Sequence, residues 1–121
     1  MRRNSMKKMN KENPVLLSLV EKLMKSQKPI WRKVAYELSR SRKQRVQVNL
    51  SKIDQYATED TIVIVPGKVL GSGVLTKKIT IAAFAFSESA KKLIGQVGGK
   101  VVSIENLHKT NPDGRGTVLL K

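Results

Sequence analysis

Thr61-Ile-Val-Ile-Val65 is the stretch that most narrows what this chain can fold into. Five β-branched residues in succession disfavour a helix, because each loses χ1 freedom against the preceding turn. They also leave no polar side for water, so the run predicts a strand buried on both faces. Leu75 to Phe86 predicts a second long apolar strand, opened by Thr76-Lys77-Lys78. Its continuous part, Ile79 to Phe86, is interrupted by Thr80 and is far too short to cross a bilayer. Pro66-Gly67 is expected to close the first strand in a turn.

Helical periodicity lies on either side of these strands. Asn13-Pro14 has the chemistry of a helix start, since Asn can accept from first-turn amides and Pro at the first position forfeits no hydrogen bond. Leu16, Leu19, Val20 and Leu23 then share one face, with Lys22 and Lys25 off it, and Pro29 is expected to stop the helix. Trp31, Val34, Ala35 and Leu38 repeat the spacing and predict a second short helix. A DNA-reading helix–turn–helix uses a glycine-containing turn, which the Pro-centred junction here does not match. Val46 to Leu50 alternates like a strand, and Ser51-Lys-Ile-Asp54 resembles a capping box opening a helix to about Tyr56. Ser87 predicts the cap of a helix carrying Ala90, Leu93, Ile94 and Val97, ended by Gly98-Gly99. A strand at Lys100 to Val102, a short helix from Ser103, a turn at Asn111-Pro-Asp-Gly114 and a strand at Thr117 to Leu120 complete the series. The expected organisation of these 121 residues is a basic tail at 1–12, an N-terminal helical arm with an Arg-rich loop at 13–45, and an α/β core at 46–121.

Charge is distributed unevenly along that organisation. The net charge is +15; residues 1–52 hold fifteen Lys and Arg against Glu12, Glu21 and Glu37, a net of +12, leaving +3 for the rest. Six of the seven arginines lie in the same half, and a planar guanidinium suits bidentate phosphate contact and base stacking better than an ammonium does. The partner this implies is nucleic acid more than an anionic membrane. Trp31 to Lys52 concentrates Arg32, Lys33, Arg40, Arg42, Lys43, Arg45 and Lys52, and within it Ser39 to Arg45 has no apolar residue at all. The tail adds Arg2 and Arg3 with no periodicity to bury.

Other chemistry is thinly represented. With no cysteine, disulfides and thiolate metal sites are excluded and a reducing compartment is allowed. Met1-Arg2-Arg3 is not followed by the apolar stretch of a secretory leader, so the expectation is a soluble intracellular protein. His108 is the sole histidine, and no nucleophile or acid stands near it in sequence. Asp54, Glu59 and Asp60 border a loop where acids commonly cap or solubilise. Gly71-Ser72-Gly73, with Lys68, Lys77 and Lys78 nearby, has the composition of a phosphate cradle but not the Walker spacing, and a tight turn with cationic flanks is the better reading. Phe84 and Phe86 sit in an apolar run and Trp31 on an apolar stripe, so recognition is expected by shape and phosphate contact and not by base stacking. No enzymatic activity, cofactor or small-molecule substrate is expected.

Several motifs in fixed order carry a resemblance. They are Asn13-Pro14 before a leucine helix; Pro29-x-Trp31-Arg32-x-Val34-Ala35; Val48-Asn-Leu-Ser-Lys-Ile53; Val65-Pro-Gly-Lys-Val-Leu-Gly71; Leu75-Thr-Lys-Lys78; Phe86-Ser87; Gly98-Gly99; and Asn111-Pro-x-Gly-x-Gly116. From Asn13 onward the chain resembles the archaeal and eukaryotic large-subunit ribosomal proteins of the e-type eighteen family, kin to the universal ribosomal protein fifteen. The resemblance implies a non-catalytic, cytoplasmic, structural rRNA-binding protein of the large ribosomal subunit, flanked by other ribosomal proteins. It also implies an α/β domain with an irregular β/β/α superhelical core behind a basic helical arm. The family's lysines in Pro-Gly-Lys-Val-Leu-Gly and Leu-Thr-Lys-Lys carry to Lys68, Lys77 and Lys78. Residues 1–12 lie outside the shared pattern, so a role for Arg2 and Arg3 rests on charge alone. The expected RNA contacts are therefore Arg2, Arg3, Arg32, Lys33, Arg40, Arg42, Lys43, Arg45 and Lys52, then Lys68, Lys77 and Lys78 as a second region, and Arg115. The rival reading is a chromatin-type duplex-DNA binder, which the same charge would permit.

Overall fold

Five parallel strands form one sheet with helices on both faces. The computed structural model describes residues 14–40, 46–59 and 61–121; the expected cap Asn13 lies outside them. In chain order the elements are α1 (Pro14–Met24), α2 (Pro29–Leu38), β1 (Val46–Asn49), α3 (Leu50–Tyr56), β2 (Ile62–Leu70), β3 (Thr80–Phe86), α4 (Glu88–Gln96), β4 (Lys100–Ser103), α5 (Ile104–Thr110) and β5 (Thr117–Leu119). The expected α/β class and single small domain are what the structure has.

Strand β2 organises the sheet. β3 pairs along nearly its whole length, while the other edge is shared: Ile62 to Ile64 pair with β5, and Gly67 to Leu70 with β1. Side chains alternate as a doubly covered strand requires. Val63 and Val65 face Leu50 and Ile53 of α3 and Ala90 and Ile94 of α4, while Ile64 joins the apolar stripes of α1, α2 and α5. Helices α1 and α2 therefore share a core with the sheet through Leu16, Val20, Leu23, Trp31, Val34 and Leu38. Their buried apolar residues are those that the 3.6-residue spacing picks out, and α2 buries Glu37 in addition.

Four local expectations need correction. Pro66-Gly67 does not end β2; the strand runs on to Leu70 and takes up one extra residue as a bulge between Val65 and Lys68. A bulge tolerates proline because the missing N–H costs no regular ladder bond there. β3 starts at Thr80, not Leu75, because Leu75 and Ile79 bury themselves from an irregular crossover that joins two parallel strands without a helix. Pro29 does not stop α1, which ends at Met24; it occupies the first position of α2, where its fixed φ suits a helix start. Finally, α3 begins at Leu50 behind Asn49 with no side-chain cap, and the Ser51 amide donates to the Ser72 carbonyl at 3.4 Å, so no capping box forms. By contrast Ser87 caps α4 as expected, accepting from the Ala90 amide at 3.1 Å, and Gly98 beyond that helix has φ +79°.

Candidate nucleic-acid interface

The buried stripe of α2 decides what its other face presents. With Trp31, Val34, Ala35 and Leu38 fully buried, Arg32, Lys33 and Tyr36 are turned to solvent. Trp31 locks this orientation: its indole Nε1 donates to the Pro112 carbonyl at 2.9 Å, and its ring meets His108 edge-on with centroids 4.9 Å apart. Arg32 donates to the Ser26 carbonyl at 3.2 Å, closing the corner after α1, where a cation complements the helix C-terminus. Pro29, Arg32, Lys33, Tyr36 and Glu37 form one wall of an open groove, and Leu119 and Lys121 form the other.

At the sheet edge where β5 ends and β1 begins, cations gather around one acid. Glu37 is 3 % exposed and receives Lys121 Nζ at 2.7 Å and Arg40 Nη1 at 3.2 Å. Burial alone would push its carboxyl up, but the hydrogen bonds from Lys121 and Arg40, with their charges, hold it below the ordinary glutamate value. Lys52, from the opposite face of the sheet, donates to the Lys121 main-chain oxygen. Lys68 is exposed just past the bulge in a hollow lined also by Leu38, Val46, Gln47, Phe84 and Ala85. Leu38 and Val46 bracket the Arg-rich stretch, so Lys68 stands beside its two ends. Arg42, Lys43 and Arg45, like Arg2 and Arg3, lie outside the described residues.

The structure places the other named cations away from Lys68, although Lys77 reaches the helix that carries Lys52. Register pairs Lys68 with Ala85 and Ile62 with Thr80, which puts Lys77 and Lys78 roughly 17 Å away along the sheet. Lys77 is turned inward, donating to the carbonyls of Asp54 and of Ala57, the latter at 2.8 Å, at the end of α3. Lys78 is exposed beside Gly98. Arg115 projects from the loop before β5 with its Nε 4.0 Å from Asp113, which also lies 4.0 Å from Lys28 at the start of α2. Tyr36 and Lys121 were absent from the expected contacts. Tyr36 was legible as the one aromatic of α2 off the apolar stripe, whereas Lys121, 84 positions from Glu37, had no local signal.

A sequence profile described as "Ribosomal protein 60S L18 and 50S L18e" matches residues 1–121. The chain belongs to this family. It is 44 % identical over 119 residues to the large ribosomal subunit protein eL18 of Methanococcus maripaludis, covering 95 % of this chain and 99 % of the relative. The eL18 protein of Archaeoglobus fulgidus is 44 % identical over 116 residues, covering 93 % and 99 %, and that of Halobacterium salinarum 46 % over 110, covering 88 % and 94 %.

In this L18-family chain Asp54 is committed to structure. Asp54 accepts from the Thr76 amide and hydroxyl, both at 2.9 Å, and the amide bond above all holds its carboxyl below the usual aspartate value while tying the crossover to α3. Asp60 lies outside the described residues. The Gly71 amide donates to Ser87 Oγ at 3.1 Å, and a Cβ on Gly71 would meet the Ala90 nitrogen at 2.6 Å, so this loop is packed on the start of α4 and offers no cradle. Among the described residues no group of His, Asp and Glu could hold a metal ion, and no helix is long and apolar enough to cross a membrane.

His108 is held below the ordinary imidazole value by burial and by the nearby Lys22 charge. A depressed histidine is more protonated in the unfolded chain, so stability is full above about pH 6.5 and falls as pH drops below it. Thermal melts should show this loss between pH 7.5 and 5.5, and His108→Phe should flatten it; the depressed carboxylates act only below roughly pH 4.5.

Proposed function

We propose that this chain is a structural, non-catalytic component of the large ribosomal subunit in the cytoplasm, and that it binds the subunit's rRNA without a cofactor. The observation that carries the reading is the convergence of Arg32, Lys33, Arg40, Lys52, Lys68 and Lys121 around α2 and the β1/β5 edge, flanking the ends of a segment that adds Arg42, Lys43 and Arg45. Folded RNA presents phosphates and 2′-hydroxyls on irregular surfaces, and a rigid α/β body can match such a surface in shape. The family relationship to named large-subunit proteins supports the same partner, with other ribosomal proteins as neighbours. Lys78 and Arg115 are secondary contacts in this reading, Arg2 and Arg3 extend it from a tail that the family profile matches although the sequence pattern was expected to start at Asn13, and Lys77 serves it by bracing the crossover.

Replacing Arg42, Lys43 and Arg45 together by Glu is expected to leave the circular-dichroism melt of the isolated protein unchanged and to abolish co-sedimentation with the large subunit. Normal incorporation of that variant would overturn the reading. Affinity for rRNA should fall steeply with salt, the logarithmic slope shrinking by about one for each phosphate-contacting cation removed. A duplex-DNA binder instead predicts equal or better affinity for DNA than for structured rRNA at matched salt, which a competition titration decides.

A further inference from the structure

We propose that the groove between α2 and the end of β5 seats one unpaired nucleotide of the bound RNA, with its base stacked on the Tyr36 ring and its phosphate held by Lys33 and Lys121. Tyr36 is 63 % exposed, in contrast to Trp31 five residues earlier, which is completely buried. A lone exposed aromatic needs no explanation; the surroundings of this one distinguish it. Arg32 and Lys33 precede it by four and three residues and so flank it on the helix surface, and Lys121 faces it across the groove. Pro29 and Leu119 complete an apolar lining suited to the flat face of a base.

The electrostatics favour the same ligand. The groove's one acid, Glu37, is buried and shared between Lys121 and Arg40, so the three groups together leave one positive charge for a phosphate at the rim. Lys33 is exposed and has no ion-pair partner among the described residues. An apolar floor between cations fits a nucleotide, which offers a π face and an anionic ester a few ångströms apart. Within a duplex every base is already stacked between neighbours, so only a nucleotide released from the stack can lie on the ring. This site deepens the rRNA reading and rests on it. It assigns base stacking to a protein whose sequence pointed to phosphate contacts alone.

The test uses the full chain and two short RNA duplexes that differ only in a single bulged adenosine, titrated at one low salt concentration. The native protein is expected to bind the bulged duplex about tenfold more tightly, a factor typical of one base on an aromatic platform. Tyr36→Ala should erase that preference and leave plain-duplex affinity and its salt slope unchanged, while Tyr36→Phe and Tyr36→Trp retain it. Equal native affinity for the two duplexes, or a Tyr36→Phe variant as impaired as Tyr36→Ala, would overturn the stacking site; the second result would assign the contact to the hydroxyl. Absence of binding to either duplex and to rRNA would remove the proposed function itself, a distinguishable failure.

Discussion

Gly67→Ala is expected to destabilise the protein by about 3 kcal/mol or more, at or beyond the usual cost of an overpacked site. A Cβ at this position would fall on the Val46 carbonyl oxygen and lie 2.9 Å from the carbonyl carbon. Both are main-chain atoms of the paired strand, so no rotamer change can relieve the clash. Gly67 is the register partner of Val46, the first residue of β1 after the Arg-rich segment. The substitution therefore pushes away the strand that anchors one end of the basic face, and rRNA affinity should fall with stability. Urea denaturation followed by circular dichroism checks the first effect, and hydrogen exchange at the β1 amides checks its location. Gly95→Ala is the matched control: nothing lies within 4 Å of its added methyl inside α4, so it should gain about 0.5–1 kcal/mol from helix propensity. An unchanged midpoint for Gly67→Ala would show that β1 can move away without loss.

Trp31→Ala is expected to cost about 3–5 kcal/mol, the range for deleting a fully buried aromatic side chain. Against a total stability of roughly 6–18 kcal/mol for a chain of this length, the loss leaves as little as about 1 kcal/mol at the lower end. The loss has three parts: the cavity left between α2 and the sheet, the Nε1 bond to Pro112, and the edge contact with His108. Trp31→Phe retains most of the volume but strands the Pro112 carbonyl, for a smaller loss of about 1–3 kcal/mol. Because Trp31 is the sole tryptophan, its fluorescence disappears with the substitution and circular dichroism must report the transition. The 111–116 loop should loosen together with α2, and faster hydrogen exchange at the Arg115 amide, bonded to Asn111 Oδ1 at 3.2 Å, would reveal it.

Periodicity made the helices legible, because burial on one face imposes a 3.6-residue spacing that local sequence must carry. The residues of α1 and α2 expected to be buried are buried, and α2 buries Glu37 besides them. Punctuation by proline and glycine was less dependable. Pro66-Gly67 has the composition of a turn, yet it lies inside β2 because the neighbouring backbone of β1 needs the space of a missing side chain. Leu75 to Ile79 is as apolar as a strand, but it is buried as crossover, since apolar character reports burial and not backbone pairing. The cationic residues were all visible in sequence, whereas their roles were not: Lys77 and Lys78 are neighbours, and one caps α3 while the other faces water.

The sequence by itself determined the α/β class, the buried faces of α1, α2 and α4, and the concentration of positive charge in the first half of the chain. These follow from local spacing and composition, which act over a few residues. Only the tertiary structure decided which charges stand together. Glu37 meets Lys121 and Lys52 reaches the same residue because β5 returns to the edge of β2 shared with β1. Tyr36 acquires a facing wall for the same reason. Sheet pairing links residues far apart in the chain through backbone hydrogen bonds that carry no side-chain signature. That is why the shape of the basic face could not be read from the order of its residues.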